Sequence, residues 1–166
     1  MKRREFITLL GGAVAWPLAA HAQQPERVRR IGFFMFLAAD DPETKPRIAA
    51  FLQGLQQLGW SEGRNVRIDY RLGGGDAVGL RKQAAELAAL APDVILTTGG
   101  TATERLLEVT RTVPIVFVIV PDPVGSGLVK SLSRPGGNAT GFIQFEYSLS
   151  AKWLELLKEI AVWSKN

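Results

Sequence analysis

The chain has no cysteine in its 166 residues. That excludes disulfides, thiolate metal sites, a cysteine nucleophile and iron–sulfur clusters. It also excludes a lipid anchor carried on cysteine. Histidine is nearly as scarce: the one example, His21, sits in an N-terminal leader. Without that leader no imidazole remains, so the commonest general base and commonest metal ligand are both missing. No carboxylate pair and no nucleophile–base set stands out either. Hydrolytic and metal-dependent chemistry is therefore disfavoured, and neither a metal nor a cofactor is expected. Basic residues outnumber acidic ones by 20 to 16, and the pI is near 9.7. The basic residues form no stripe interleaved with aromatics, so no nucleic-acid partner is expected. No apolar run reaches the ~20 residues that a membrane span needs.

What is present starts with residues 1–22. Lys2, Arg3 and Arg4 precede a mildly apolar run, Ile7 to Ala20, that closes on Ala20-His21-Ala22. A positive front, a short apolar middle and a small-x-small end describe an export leader cut after Ala22. Paired arginines before Glu-Phe-Ile resemble a twin-arginine signal, which carries folded proteins. The expected location is the periplasm. The leader holds three basic residues against one acid (Glu5), so the remainder keeps +2 of the chain's +4. Its 144 residues suffice for one domain with a real core.

Beyond a polar leader end, strand-like and helix-like patterns alternate. Val28 to Leu37 reads as a strand, and Asp40-Asp41-Pro42 as a helix start with an acid cap. Ile48, Phe51, Leu52, Leu55 and Leu58 recur at helical spacing, and Gly59 stops them. Pro46 fits only if that helix starts near Thr44, which leaves proline in the first turn. Val66, Ile68 and Tyr70 alternate with charged residues as a half-exposed strand. A glycine turn at 73–76 leads to a helix over 77–90, then a buried strand at 94–96. Gly99-Gly100-Thr101 opens a third helix. Ile115 to Val120 is the most apolar strand, expected to be covered on both faces. A short helix at 127–133, a strand at 140–145 and an amphipathic helix at 151–162 complete the pattern, with Trp153 expected in the core. The fold class is α/β: a three-layer parallel sheet with helices on both faces.

Ligands in such sheets bind beyond the carboxyl ends of the strands. Thr97-Thr98-Gly99-Gly100-Thr101 falls there, with two hydroxyls, glycine amides and a helix start suited to a carboxylate. Thr101 with Glu104 also reads as a capping box, which needs no ligand. The two uses can coexist. Asp122 follows the most buried strand and either accepts from a ligand amine or caps the next turn. Phe145 and Tyr147 follow the fifth strand, as stacking surfaces or as packing.

Several segments in order resemble the substrate-binding proteins of ABC transporters with the type I periplasmic-binding fold: MKRREFITLLGG, RRIGFFMFLAADDPE, FLQGLQQLGWSEGRNVRIDYR, APDVIL, TVPIVFV, DPVGSGLVKSLSRPGGNATGF and KWLELLKEIA. The resemblance includes the tryptophan- and amino-acid-binding subgroup. It implies two hinged α/β lobes that close on a small solute and present it to an ABC permease in the inner membrane. The ligand loops it implies are Leu37, Ala38 and Asp40, then Thr98, Gly99, Gly100 and Thr101, then Asp122 with Val124. The first lobe would be 23–145, and 146–166 the hinge and the start of a truncated second lobe. Two-domain receptors of this kind run to about twice the present length. The expectation is a binding protein and not an enzyme, impaired by truncation. The alternatives are an exported α/β enzyme acting on a small molecule, or a non-binding fragment that forms homodimers through exposed apolar surface.

Overall fold

The computed structural model describes residues 27–74, 77–144 and 147–163. Entered by Arg29 and Arg30, the first apolar run forms β1 (Arg29–Met35), whose last four residues are buried. The other strands are β2 (Val66–Leu72), β3 (Val94–Thr98), β4 (Ile115–Val120) and β5 (Ala139–Ile143), and all pair in parallel in the order β2-β1-β3-β4-β5. The helices are α1 (Thr44–Gln57), α2 (Ala77–Ala89), α3 (Gly100–Val109) and α4 (Tyr147–Trp163).

Strand side chains alternate between faces, so consecutive residues of β1 serve different cores. Phe33 and Met35 join Val66 and Ile68 beneath Ile48, Phe51, Leu52 and Leu55 of α1. The Phe33 ring lies 5.4 Å from Phe51 and 5.6 Å from Tyr70, both tilted. Phe34 points the other way, toward Ile95, Phe117 and the apolar sides of α2 and α3. The three-layer α/β reading is the observed architecture.

The strand starts are stapled at the opposite end from the expected site. Arg30 Nε sits 2.5 Å from the Asp69 carboxylate, and its guanidinium also donates to the Leu90 carbonyl at 3.0 Å. The Asp93 carboxylate accepts from the Arg30 amide at 2.8 Å. This ties β1 to both neighbours and holds Asp69 and Asp93 below the usual carboxylate range. For Asp69 the main cause is the Arg30 hydrogen bond; for Asp93 it is the Arg30 backbone amide.

Several local expectations need correction. Of the two starts open for α1, the structure takes the one near Thr44 that Pro46 required and not Asp40-Asp41-Pro42, with Glu43 as N-cap and Pro46 third in the helix. The reason is the buried Thr44 hydroxyl, which donates to the Ala38 carbonyl at 2.7 Å and closes the loop there. Asp41 serves the turn before the helix, accepting from the Glu43 amide at 2.8 Å. The helix at 127–133 is absent; residues 123–127 form a turn held by Asp122. β4 is not covered throughout: Val116, Val118 and Ile119 are half-buried, because α1 lies over the β1–β2 end of its face. Trp153 is 53 % exposed and not core. The leader, the cleavage site and Phe145 lie outside the described residues.

Candidate functional site

A sheet of order 2-1-3-4-5 has one place where successive connections leave toward opposite faces, between β1 and β3. Here β1 runs into α1 on one face and β3 runs into α3 on the other. The divergence opens a crevice beyond the strand ends, flanked by the loop after Met35 and the turn after Thr98.

The first wall is residues 36–43. The Ala38 carbonyl accepts from the Asp41 amide at 3.2 Å and from the Thr44 hydroxyl at 2.7 Å, which makes a closed turn of the loop carrying Leu37, Ala38 and Asp40. Leu37 and Ala38 are half-buried, and Asp40 is exposed. A second clamp comes from β2: the Gly73 amide donates to Met35 at 2.8 Å and the Gly74 amide to Phe36 at 3.1 Å. A side chain at Gly73 would strike the Phe36 carbonyl, so this approach requires glycine.

The second wall is the start of α3. Gly99 is its N-cap, with φ 85° and ψ 155°, a conformation that favours glycine. The Gly99 amide donates to Val118 at 2.9 Å, and its carbonyl accepts from the Thr103 amide at 3.3 Å and hydroxyl at 2.7 Å. No side chain caps this helix. The Thr101–Glu104 capping box is thus not formed: Thr101 is the second helical residue and is exposed, because Gly99 occupies the cap position. The amides of Gly100, Thr101 and Ala102 have no acceptor within the helix, as at any helix start. Space around Gly100 is open. Below them the Thr97 and Thr98 hydroxyls are buried without a hydrogen-bond partner.

The two walls touch through a residue that the sequence pattern did not single out as a site residue. Phe36, directly after β1, is 42 % exposed, whereas Phe33, Phe34 and Met35 are buried. Its ring sits on Gly99: a Cβ there would lie 3.0 and 3.1 Å from Phe36 Cδ1 and Cε1. In sequence it looks like the end of an apolar strand, and only the strand's termination at Met35 turns it outward.

Asp122 lies one strand further along. Its carboxylate accepts from the Gly125 amide at 2.7 Å, and its carbonyl from the Ser126 amide at 3.1 Å. The turn-capping use is the one observed. Val124 is exposed and lines a hollow of ≈ 440 Å³ beside Leu107 and Arg111, on the flank of α3 and away from the crevice. Another hollow, ≈ 370 Å³, lies at the stapled end beside Trp60 and Arg29. Neither adjoins the divergence point or a helix N-terminus, so the crevice is the better candidate on chemical grounds. Tyr147 begins α4. Among the described residues no cluster of His, Asp or Glu could hold a metal ion, and no helix is long and apolar enough to cross a membrane.

Residues 37–163 match the family model for the ABC transporter substrate binding protein. The chain belongs to that family. It is 31% identical over 116 residues to a tyrosine-binding protein of Clostridioides difficile, an alignment covering 70% of this chain and 33% of that protein. Two solved structures superpose well. One is a conserved domain protein of Vibrio cholerae, with TM-score 0.70 and 30% identity over 81% of this chain and 44% of that one. The other is an ABC domain in complex with L-Trp from Streptococcus pneumonia, with TM-score 0.63 and 28% identity over 69% of this chain and 38% of that one. This substrate-binding family member thus spans about a third of the curated relative and under half of each solved one.

Proposed function

We propose that the chain supplies the first lobe of an exported solute receptor that takes a small carboxylate-bearing solute, an amino acid, and hands it to an ABC permease. Residues 1–22 would serve as its leader, removed after Ala22 on the periplasmic side, and 146–166 as the hinge into a second lobe. The observation that carries this reading is the uncapped start of α3 facing the β1–β3 crevice, in a chain of this family. Three amides and the positive end of a helix favour a carboxylate. That a relative is a tyrosine-binding protein, and that another was solved with L-Trp, supports an amino acid as the carboxylate's bearer. Leu37, Ala38 and Asp40 would form the facing wall. Asp122 and Val124 would be further from the carboxylate, and Phe145 and Tyr147 remain candidate stacking surfaces where the hinge segment begins in sequence. One lobe buries only part of a ligand, so a second lobe would complete the enclosure. Exposed apolar surface on α4 supports a second partner, another copy of the chain.

Gly100→Pro is the direct test. Proline suits the first helical position, so the fold should survive, yet it removes the Gly100 amide. Amino-acid binding, followed by amide NMR shifts at 99–103, should weaken about 10-fold, the cost of one charge-assisted hydrogen bond. Unchanged affinity would remove the carboxylate from this helix. Absence of any amino-acid or organic-acid response in the parent chain would remove the receptor reading.

A further inference from the structure

We infer that Phe36 is a specificity-determining wall of the crevice, a fixed ring that selects aromatic over small or aliphatic amino-acid side chains. The inference rests on the receptor reading and adds the residue that would tell one amino acid from another. It starts from a physical oddity: a large apolar side chain 42 % exposed directly beyond a strand whose last four residues are buried. A loose surface phenylalanine would need no account. This one is held from both sides. Its carbonyl accepts the Gly74 amide at 3.1 Å, and Gly73 packs too closely against that carbonyl to carry a side chain. Its ring rests on Gly99, where any Cβ would press into Cδ1 and Cε1. Gly99 is itself pinned through its amide to Val118 and through its carbonyl to Thr103. The ring therefore sits on a rigid base with its remaining surface open.

Position gives the ring its use. Gly99 lies beneath it, and the next amide along the chain is that of Gly100, the first free donor of α3. A carboxylate on the Gly100–Ala102 amides therefore stands within one amino-acid length of the ring. A planar side chain of that ligand reaches the open surface of Phe36 in an offset or tilted stack, and a methyl group does not. A preorganised wall also loses little rotamer freedom on binding.

The test is a set of amide-NMR titrations of the 166-residue chain with L-tryptophan, L-tyrosine, L-leucine and glycine, repeated on F36A and F36L. Because Phe36 is largely outside the core, peak dispersion should be retained in both variants. The expected result is about a 10-fold loss of affinity for the two aromatic ligands in F36A, with the glycine and leucine affinities changed by no more than about 2-fold. F36L should fall between. An equal loss for all four ligands would overturn the selective role and leave the receptor reading standing. Binding whose shifts fall away from residues 36 and 99–103 would overturn the site for both. No binding of any ligand to the parent chain would overturn the receptor reading, and the role of Phe36 with it.

Discussion

At the scale of single residues, two backbone and titration features lead to measurements. Ala91 adopts φ 46°, just past the end of α2, with its amide on the Ala88 carbonyl at 2.9 Å. The left-handed region costs a residue with a Cβ about 1 kcal/mol, and glycine relieves it. Ala91 is exposed, so no packing is lost. Ala91→Gly should therefore raise stability by about 0.5–1 kcal/mol, partly offset by glycine's extra freedom when unfolded, and a thermal melt would show an upward shift. Tyr70 sits half-buried, with its hydroxyl 3.3 Å from Glu62. Burial, and then the Glu62 charge, push its phenol up from 10 to about 12. The native state therefore holds this proton where the unfolded chain has released it. Its contribution is complete below about pH 10 and is lost as pH rises through about 12. Denaturation midpoints between those values should fall more steeply for the parent chain than for Tyr70→Phe. Parallel slopes would show that the phenol is not perturbed.

At the scale of elements, the strand-to-helix junctions decide the site. Thr44 starts α1 and is fully buried, and its hydroxyl reaches back to Ala38. Thr44→Val keeps the shape, removes that donor and leaves the carbonyl with the longer Asp41 bond. The expected loss is about 1–2 kcal/mol, with faster amide exchange confined to residues 36–43. Thr44→Ser should restore most of it. These junctions also mark the limit of what the chain reveals by itself. Alternation placed β2, and spacings of three and four placed α1, because each pattern mirrors burial on one face. The order of strands, and with it the divergence point beside Thr98, was not legible in these patterns, because it is set by which strands pair across the folded sheet. The start of α1 stays open in the sequence between Asp41-Pro42, which carries local capping chemistry, and Thr44, which Pro46 requires, because the deciding bond spans six residues to Ala38. Gly99 displaced Thr101 from the cap position for a similar reason: its backbone is set by Val118 in the neighbouring strand. Phe36 was illegible as a site residue because its exposure depends on where pairing with β2 and β3 ends.

At the scale of the whole molecule, α4 raises the question of what covers it. Trp153, Leu154, Leu156, Leu157 and Ile160 are between 49 and 66% exposed, and they share one side of the helix. Each leaves on the order of 100 Å² open, so two copies pairing through this side would bury on the order of 1,000 Å², the lower bound for specific association. Charge selects the geometry. Lys152 and Glu159 are two turns apart on the same flank, and only an antiparallel pair brings like flanks together, so that each lysine lies near the partner's glutamate. Leu156 and Leu157 then fall near the two-fold axis. Sedimentation of the 166-residue chain should accordingly show a concentration-dependent dimer, weakening as salt rises because the flanking pairs are exposed. Leu157→Glu puts a charge at the centre of that contact and should yield a monomer without lowering the melting temperature, since the residue is exposed in the single chain. Glu159→Lys should weaken the dimer, and adding Lys152→Glu should restore it, because the exchanged charges again pair antiparallel. A chain that stays monomeric at 100-fold dilution steps into the high micromolar range would show that this side of α4 is not a self-association surface.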